Sequence, residues 1–165
     1  MPWKGIIPVS SPSVTHATYT IERSYPTAPE RVFAAFTDPA KKRRWFADSE
    51  TGQAESYELD FKVGGNEVTR RIIQGGPYKG TPLTNHSSFQ DIVPSRRIVF
   101  AYTMSMGDTR ISASLATVEL LPTGNGTTLI FTDQAAFFEG ADGAQMREQG
   151  WRRLLEGLEK ELARQ

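Results

Sequence analysis

The chain has 165 residues, 38% of them hydrophobic, with 19 Lys plus Arg against 19 Asp plus Glu and a formal net charge of zero. That length fits one domain and that composition can bury a core, which excludes disorder throughout, while the balanced charge points neither to nucleic acid nor to a membrane surface. The lack of cysteine removes disulfides, thiolate zinc sites and cysteine nucleophiles, and His16 and His86 are the only histidines, too few for a multi-histidine metal centre.

Residues 1–16 read as an irregular N-terminal arm, broken by Pro2, Pro8 and Pro12, with Trp3, Ile6, Ile7 and Val9 as the residues that would pin it to a surface. The arm lacks the continuous apolar core of a secretory signal, and no run in the chain is long enough to span a bilayer. The expectation is a soluble, cytoplasmic chain with a single domain over residues 17–165. Ala17 to Tyr25 reads as a strand rich in Thr, Tyr and Ile. Pro29 then suits the first turn of a short helix carrying Val32, Phe33 and Phe36, and Asp38-Pro39 opens a second short helix, Ala40 to Phe46. Six strands are expected next: Tyr57–Val63, Asn66–Gln74, Asn85–Val93, Arg96–Met104, Arg110–Leu121 and Thr127–Gln134. Gly64-Gly65, Gly75-Gly76-Pro77, Pro94-Ser95, Gly107-Asp108 and Thr123-Gly124-Asn125-Gly126 separate them.

From Asp142 onward the spacing predicts one long amphipathic helix. Trp151, Leu154, Leu155, Leu158 and Leu162 form a single apolar stripe, and Glu148 and Arg152 pair four apart off it. Asp142 is the expected N-cap, with Gln145 as its capping-box partner. Consecutive strands joined by short turns imply an antiparallel sheet, and a sheet of six or seven strands twists and curls. The predicted fold is α+β: a curved antiparallel sheet, two short helices after the first strand, and a long C-terminal helix across the concave face in a helix-grip arrangement.

The ordered set of local features resembles the START-like, or SRPBCC, superfamily, and within it the stand-alone bacterial relatives of the Hsp90 ATPase activator domain. The residues that carry the resemblance are Thr27-Ala28-Pro29-Glu30-Arg31-Val32-Phe33, Trp45-Phe46, Val63-Gly64-Gly65, Asp91-Ile92-Val93-Pro94 with Arg97-Ile98-Val99-Phe100, Gly126-Thr127-Thr128-Leu129, and Gly150-Trp151 with Leu154 and Leu158. The resemblance spans Ala17 to Leu162. It implies a helix-grip fold and an internal cavity for an apolar small molecule, and it does not imply one activity. Asn66-Glu67 after the glycine pair and Asp133 depart from many relatives, which makes a more polar cavity the expectation.

Strand alternation sorts the candidate residues. Ile98, Phe100, Tyr102 and Met104 share a face that is assigned inward. Ser112 and Ser114 share one with Ala116, Val118 and Leu120, and suggest a void with hydroxyls on its wall. Leu129, Phe131 and Asp133 share the third. For the strand 66–74 the resemblance favours Glu67, Thr69 and Arg71 inward, whereas apolarity favours Val68 and Ile72. The expected ligand-lining set is Phe33, Trp45, Arg71, Phe100, Tyr102, Met104, Ser112, Ser114, Phe131, Asp133, Arg147 and Trp151. Arg147, one turn before Trp151, is placed to meet a ligand carboxylate. The competing reading has Arg71, Glu67, Arg147 and Asp133 in internal or rim salt bridges.

His86, Asp133 and Glu67 are the candidates for proton transfer, and no G-x-S-x-G sequence surrounds any serine. Lys41-Lys42-Arg43-Arg44 reads as a solvated helix face. The first functional reading is binding of a hydrophobic or amphipathic small molecule between the sheet and the last helix. The second is a cavity enzyme of cyclase or hydrolase type. The third is a co-chaperone-like protein whose partner is an Hsp90-type chaperone. None of them calls for a cofactor, a metal, nucleic acid or membrane insertion, and a two-fold homodimer is the default expectation for assembly.

Overall fold

The computed structural model describes residues 13–48 and 52–164. Trp3, Ile6, Ile7 and Val9 of the expected arm lie outside that range. The elements are β1 (Thr15–Tyr25), α1 (Pro29–Thr37), α2 (Pro39–Lys42) running into a π-helical turn (Arg43–Ala47), β2 (Ser56–Leu59), β3 (Asn66–Ile72), β4 (Pro82–Val93), β5 (Arg97–Met106), β6 (Thr109–Thr123), β7 (Gly126–Phe137) and α3 (Ala144–Leu162). Strand β1 starts ahead of the expected Ala17, and β2 ends at Leu59, well short of Val63.

The short helices form where their start signals stand. Pro29 and Pro39 open α1 and α2, and the Asp38 carboxylate accepts from the backbone N–H of Ala40 at 2.9 Å and of Lys41 at 3.3 Å. The wider π turn then buries Trp45, Phe46 and Ala47 in succession, which a regular helix would not do.

All seven strands form one antiparallel sheet in the order β1-β7-β6-β5-β4-β3-β2. Register shifts between Phe89 and Asp91 in β4, and opposite Met104 and Ser105 in β6, add to its curl. Ile21, Phe100, Val118, Leu120, Leu129 and Phe131 point into the concave side and are buried. Helix α3 closes that side with Trp151, Leu155, Leu158 and Leu162. Each such side chain contributes on the order of 1.5–3 kcal/mol when fully buried. The Tyr25 hydroxyl donates to the Leu155 carbonyl at 2.9 Å and fastens the first strand to the last helix.

Two local expectations are corrected. Asp142 is not the N-cap of α3. Gly143, at φ 85°, takes that position without a side-chain bond, and the Asp142 carboxylate turns to the Arg147 guanidinium instead. A bidentate ionic pair outcompetes a neutral backbone N–H for the same oxygens. The basic run 41–44 is also not a uniformly solvated face. Lys42 is buried and pairs with Glu67 at 3.0 Å, while the Arg43 Nε meets Asp48 and the Arg44 Nε meets Glu161, both at 3.0 Å.

Candidate functional site

Strand β3 decides the character of the concave side. Glu67 and Thr69 are buried while Arg70 is exposed, so the polar face of the strand points inward and the apolar alternation of Val68 and Ile72 does not. The reason is pairing. The Lys42 ammonium sits against Glu67 and over the rings of Phe36, Trp45 and Phe46 at 5.3, 5.2 and 4.5 Å, and the Tyr57 hydroxyl donates to the Glu67 Oε2 at 2.6 Å. Burial, with the Glu67 charge second, pushes the Tyr57 hydroxyl upward and keeps it a donor.

A second buried polar cluster joins β1, β5, β6, β7 and α3. The hydroxyls of Tyr19 and Tyr102 both donate to Asp133 Oδ2 at 2.6 Å. Trp151 Nε1 donates to the Tyr102 oxygen at 3.2 Å, and Arg147 reaches the same oxygen at 3.3 Å. The guanidinium also donates to Ser112 Oγ at 2.9 Å and twice to Asp142 at 2.8 Å. Burial raises the Asp133 carboxyl above the ordinary aspartate value, against the lowering effect of the Tyr102 and Tyr19 hydrogen bonds. Burial, with the Asp133 charge second, pushes the Tyr102 hydroxyl up to about 12. Burial alone would lower Arg147, but Asp142 and Tyr102 together outweigh that and hold it charged.

Beside this cluster lies a hollow of about 580 Å³, open on one side, between α3, the π turn and strands β3 to β5. Trp45, Phe46, Met104, Trp151 and Leu154 give it apolar walls, and Thr69, Arg71 and Asn85 stand on the sheet side. Trp151 is the central ring, 4.3 Å from Phe131, 5.8 Å from Phe46 and 6.2 Å from both Phe100 and Tyr102. Pockets of this size with apolar walls and few polar points suit small molecules.

The structure brings Trp45, Arg71, Met104, Arg147 and Trp151 to the hollow. Phe100, Tyr102, Ser112, Phe131 and Asp133 form the buried layer beside it. The void expected at Ser112 and Ser114 is absent at Ser112, where the Arg147 guanidinium fills the space; Ser114 is buried, and among the described residues its hydroxyl has no hydrogen-bond partner. Phe33 packs edge-on against Phe61 at 5.7 Å, away from the hollow's lining. The proton-transfer candidates do not meet. His86 is exposed on the outer face of β4, opposite Val68 and Thr103, while Glu67 is tied to Lys42 and Asp133 to two tyrosines. Among the described residues no group of three or more His, Cys, Asp or Glu is placed to hold a metal ion, and no helix is long and apolar enough to cross a membrane.

Reading the sequence missed Phe46, Asn85 and Leu154 as lining residues, and Lys42 as a buried group. A signal for Lys42 was present, since it lies one helical turn before the buried Trp45 and Phe46. Asn85 carried none, because only the β3–β4 register sets it opposite Thr69.

A curled antiparallel sheet holding a terminal helix over a partly open hollow defines a helix-grip protein of the SRPBCC class. Residues 26–163 match the family model described as Activator of Hsp90 ATPase homolog 1-like protein, and the chain belongs to that family. It is similar to the solved structure of the Mll3558 protein from Rhizobium loti, with 51% identity, 90% of this chain and 99% of that chain covered, and a TM-score of 0.80. A protein from Rhizobium leguminosarum is 40% identical over 93% of this chain and 98% of its own, with a TM-score of 0.85. At 24% identity and a TM-score of 0.70, covering 87% of this chain and 94% of that chain, the CV1439 protein from Chromobacterium violaceum shares the fold. No curated protein matches the sequence.

Proposed function

We propose that the protein binds an apolar or amphipathic small molecule in the hollow between the sheet and α3. The observation that carries this reading is the hollow itself, about 580 Å³ and walled by Trp45, Phe46, Met104, Trp151 and Leu154. Burying a ligand's apolar surface there supplies roughly 25 cal/mol per Å² before the costs of association. Catalysis by His86, Asp133 and Glu67 finds no support in the geometry, because the three stand on different faces or in separate buried pairs. The chaperone-stimulating reading rests on the family description alone, and acceleration of ATP hydrolysis by an Hsp90-type chaperone is its direct test.

Native mass spectrometry of protein purified from cells is expected to show a co-purifying small molecule. Titration with the uncharged dye N-phenyl-1-naphthylamine is expected to give saturable fluorescence, and Leu154→Trp, which places an indole in the hollow, is expected to weaken it at least about tenfold with the melting transition retained. Equal dye affinity in that variant would remove the hollow as the binding site.

A further inference from the structure

The uncharged polar side chains that line the hollow, Thr69 and Asn85, lie together on β3 and β4, facing the aromatic wall formed by the π turn and α3. Thr69 and Asn85 are direct partners across the β3–β4 ladder, and both line the hollow. Cross-strand partners hold their Cβ atoms about 5 Å apart, so two such side chains can converge on one ligand atom.

Thr69 is 5% exposed, and among the described residues its hydroxyl oxygen has no hydrogen-bond partner. A buried hydroxyl left unmatched is costly, and a ligand group that meets it recovers the loss. The Asn85 side-chain oxygen accepts from Ser87 Oγ at 3.5 Å, which leaves its amide NH₂ without a protein acceptor among the described residues. Thr69 and Asn85 therefore offer two adjacent donors, a pattern that suits an oxygen acceptor.

The charges around the hollow indicate the sign of that acceptor. Six basic and four acidic side chains line it. Three of the acids are held in ion pairs: Asp142 by Arg147, Asp48 by Arg43, and Glu161 by Arg44, with Arg164 at 3.8 Å. Arg71 follows Thr69 on the same face of β3, with its guanidinium donating to the Ala47 carbonyl and Asp48 nearby. Arg147, the arginine that the sequence suggests for a ligand carboxylate, is fully engaged by Asp142, Ser112 and Tyr102. The lining thus carries two more basic than acidic side chains, one of the bases on β3 and the rest on the π turn and along α3 to its end.

We propose that the ligand is an amphipathic anion, its flat apolar body against Trp45, Phe46 and Trp151 and its oxygen head on the Thr69 hydroxyl and the Asn85 amide. This rests on the small-molecule reading above and deepens it. Selectivity comes from the β3–β4 pair, and the cationic rim adds a salt-dependent attraction.

Two dyes with the same ring body separate the two ideas: 1-anilinonaphthalene-8-sulfonate carries an anionic oxygen head and N-phenyl-1-naphthylamine does not. Thr69→Val and Asn85→Leu keep side-chain volume and remove the donors. Each is expected to weaken the sulfonate dye about tenfold, the scale of one hydrogen bond to a charged group, and to leave the uncharged dye within about twofold. Raising sodium chloride is expected to weaken only the sulfonate dye. If both dyes bind the wild type and both variants shift them by the same factor, or shift neither, the anion assignment is overturned while the hollow stands. If neither dye binds the wild-type protein, both proposals fall.

Discussion

One oxygen of Asp133 accepts two tyrosine hydroxyls, and the other has no hydrogen-bond partner among the described residues. Burial raises this carboxyl in the folded state, so the folded protein holds its proton to higher pH than the unfolded chain does. The sign follows from linkage. The contribution to stability is full below the unfolded value, about 3.9 for aspartate, and is lost as pH rises through the higher folded value. Asp133→Asn keeps an acceptor for the tyrosines and removes the charge. The melting temperature of this variant relative to wild type is expected to rise steadily from about pH 4 toward pH 7. A constant difference across that range would show that Asp133 stays ionised in the fold. The Lys42–Glu67 pair behaves differently, because each partner is buried and each neutralises the other, with side-chain exposures of 5% and 3%. Lys42→Met is expected to cost about 3–5 kcal/mol in denaturant unfolding by leaving a buried carboxylate unpaired. Adding Glu67→Gln is expected to recover most of that loss, which separates the unpaired charge from lost packing around the aromatic rings.

At the level of elements, α3 meets the π turn through a glycine. A Cβ at Gly157 would stand 3.2 Å from the Trp45 carbonyl oxygen, whereas at Gly150 it would meet nothing within 4 Å. Both lie inside the same helix, where glycine is intrinsically worse than alanine. Gly150→Ala is therefore expected to stabilise by about 0.5–1 kcal/mol. Gly157→Leu is expected to destabilise by about 1–3 kcal/mol, because it lifts the helix from the turn and forces a shift in packed backbone. Thermal unfolding of the two variants checks both, and a gain at Gly157 would mean that the helix and turn are not closely seated. The same contact positions Trp45 and Trp151 on the hollow, so the spacing of these elements sets the width of the hollow.

Across the whole molecule, the order of elements was legible because each has a local cause. Proline after a capping residue starts the short helices, paired glycines and Asn-Gly end strands, and the apolar stripe marks α3. The sheet side of the site was less legible. By period alone Glu67, Thr69 and Arg71 look like a solvent face, against what the resemblance implied, and they turn inward with Lys42 and Tyr57 arriving from other elements to pair with Glu67. Asp142 carries every local mark of an N-cap, yet Arg147 claims it once both stand at the start of α3. The sequence alone determined the strands, the helices, the family and the aromatic side chains available for a cavity, since those depend on spacing along the chain. Tertiary structure decided which polar groups face inward, which arginine is committed, and that Thr69 and Asn85 stand side by side. Those outcomes depend on charge pairing and strand register between distant segments, which no local pattern encodes.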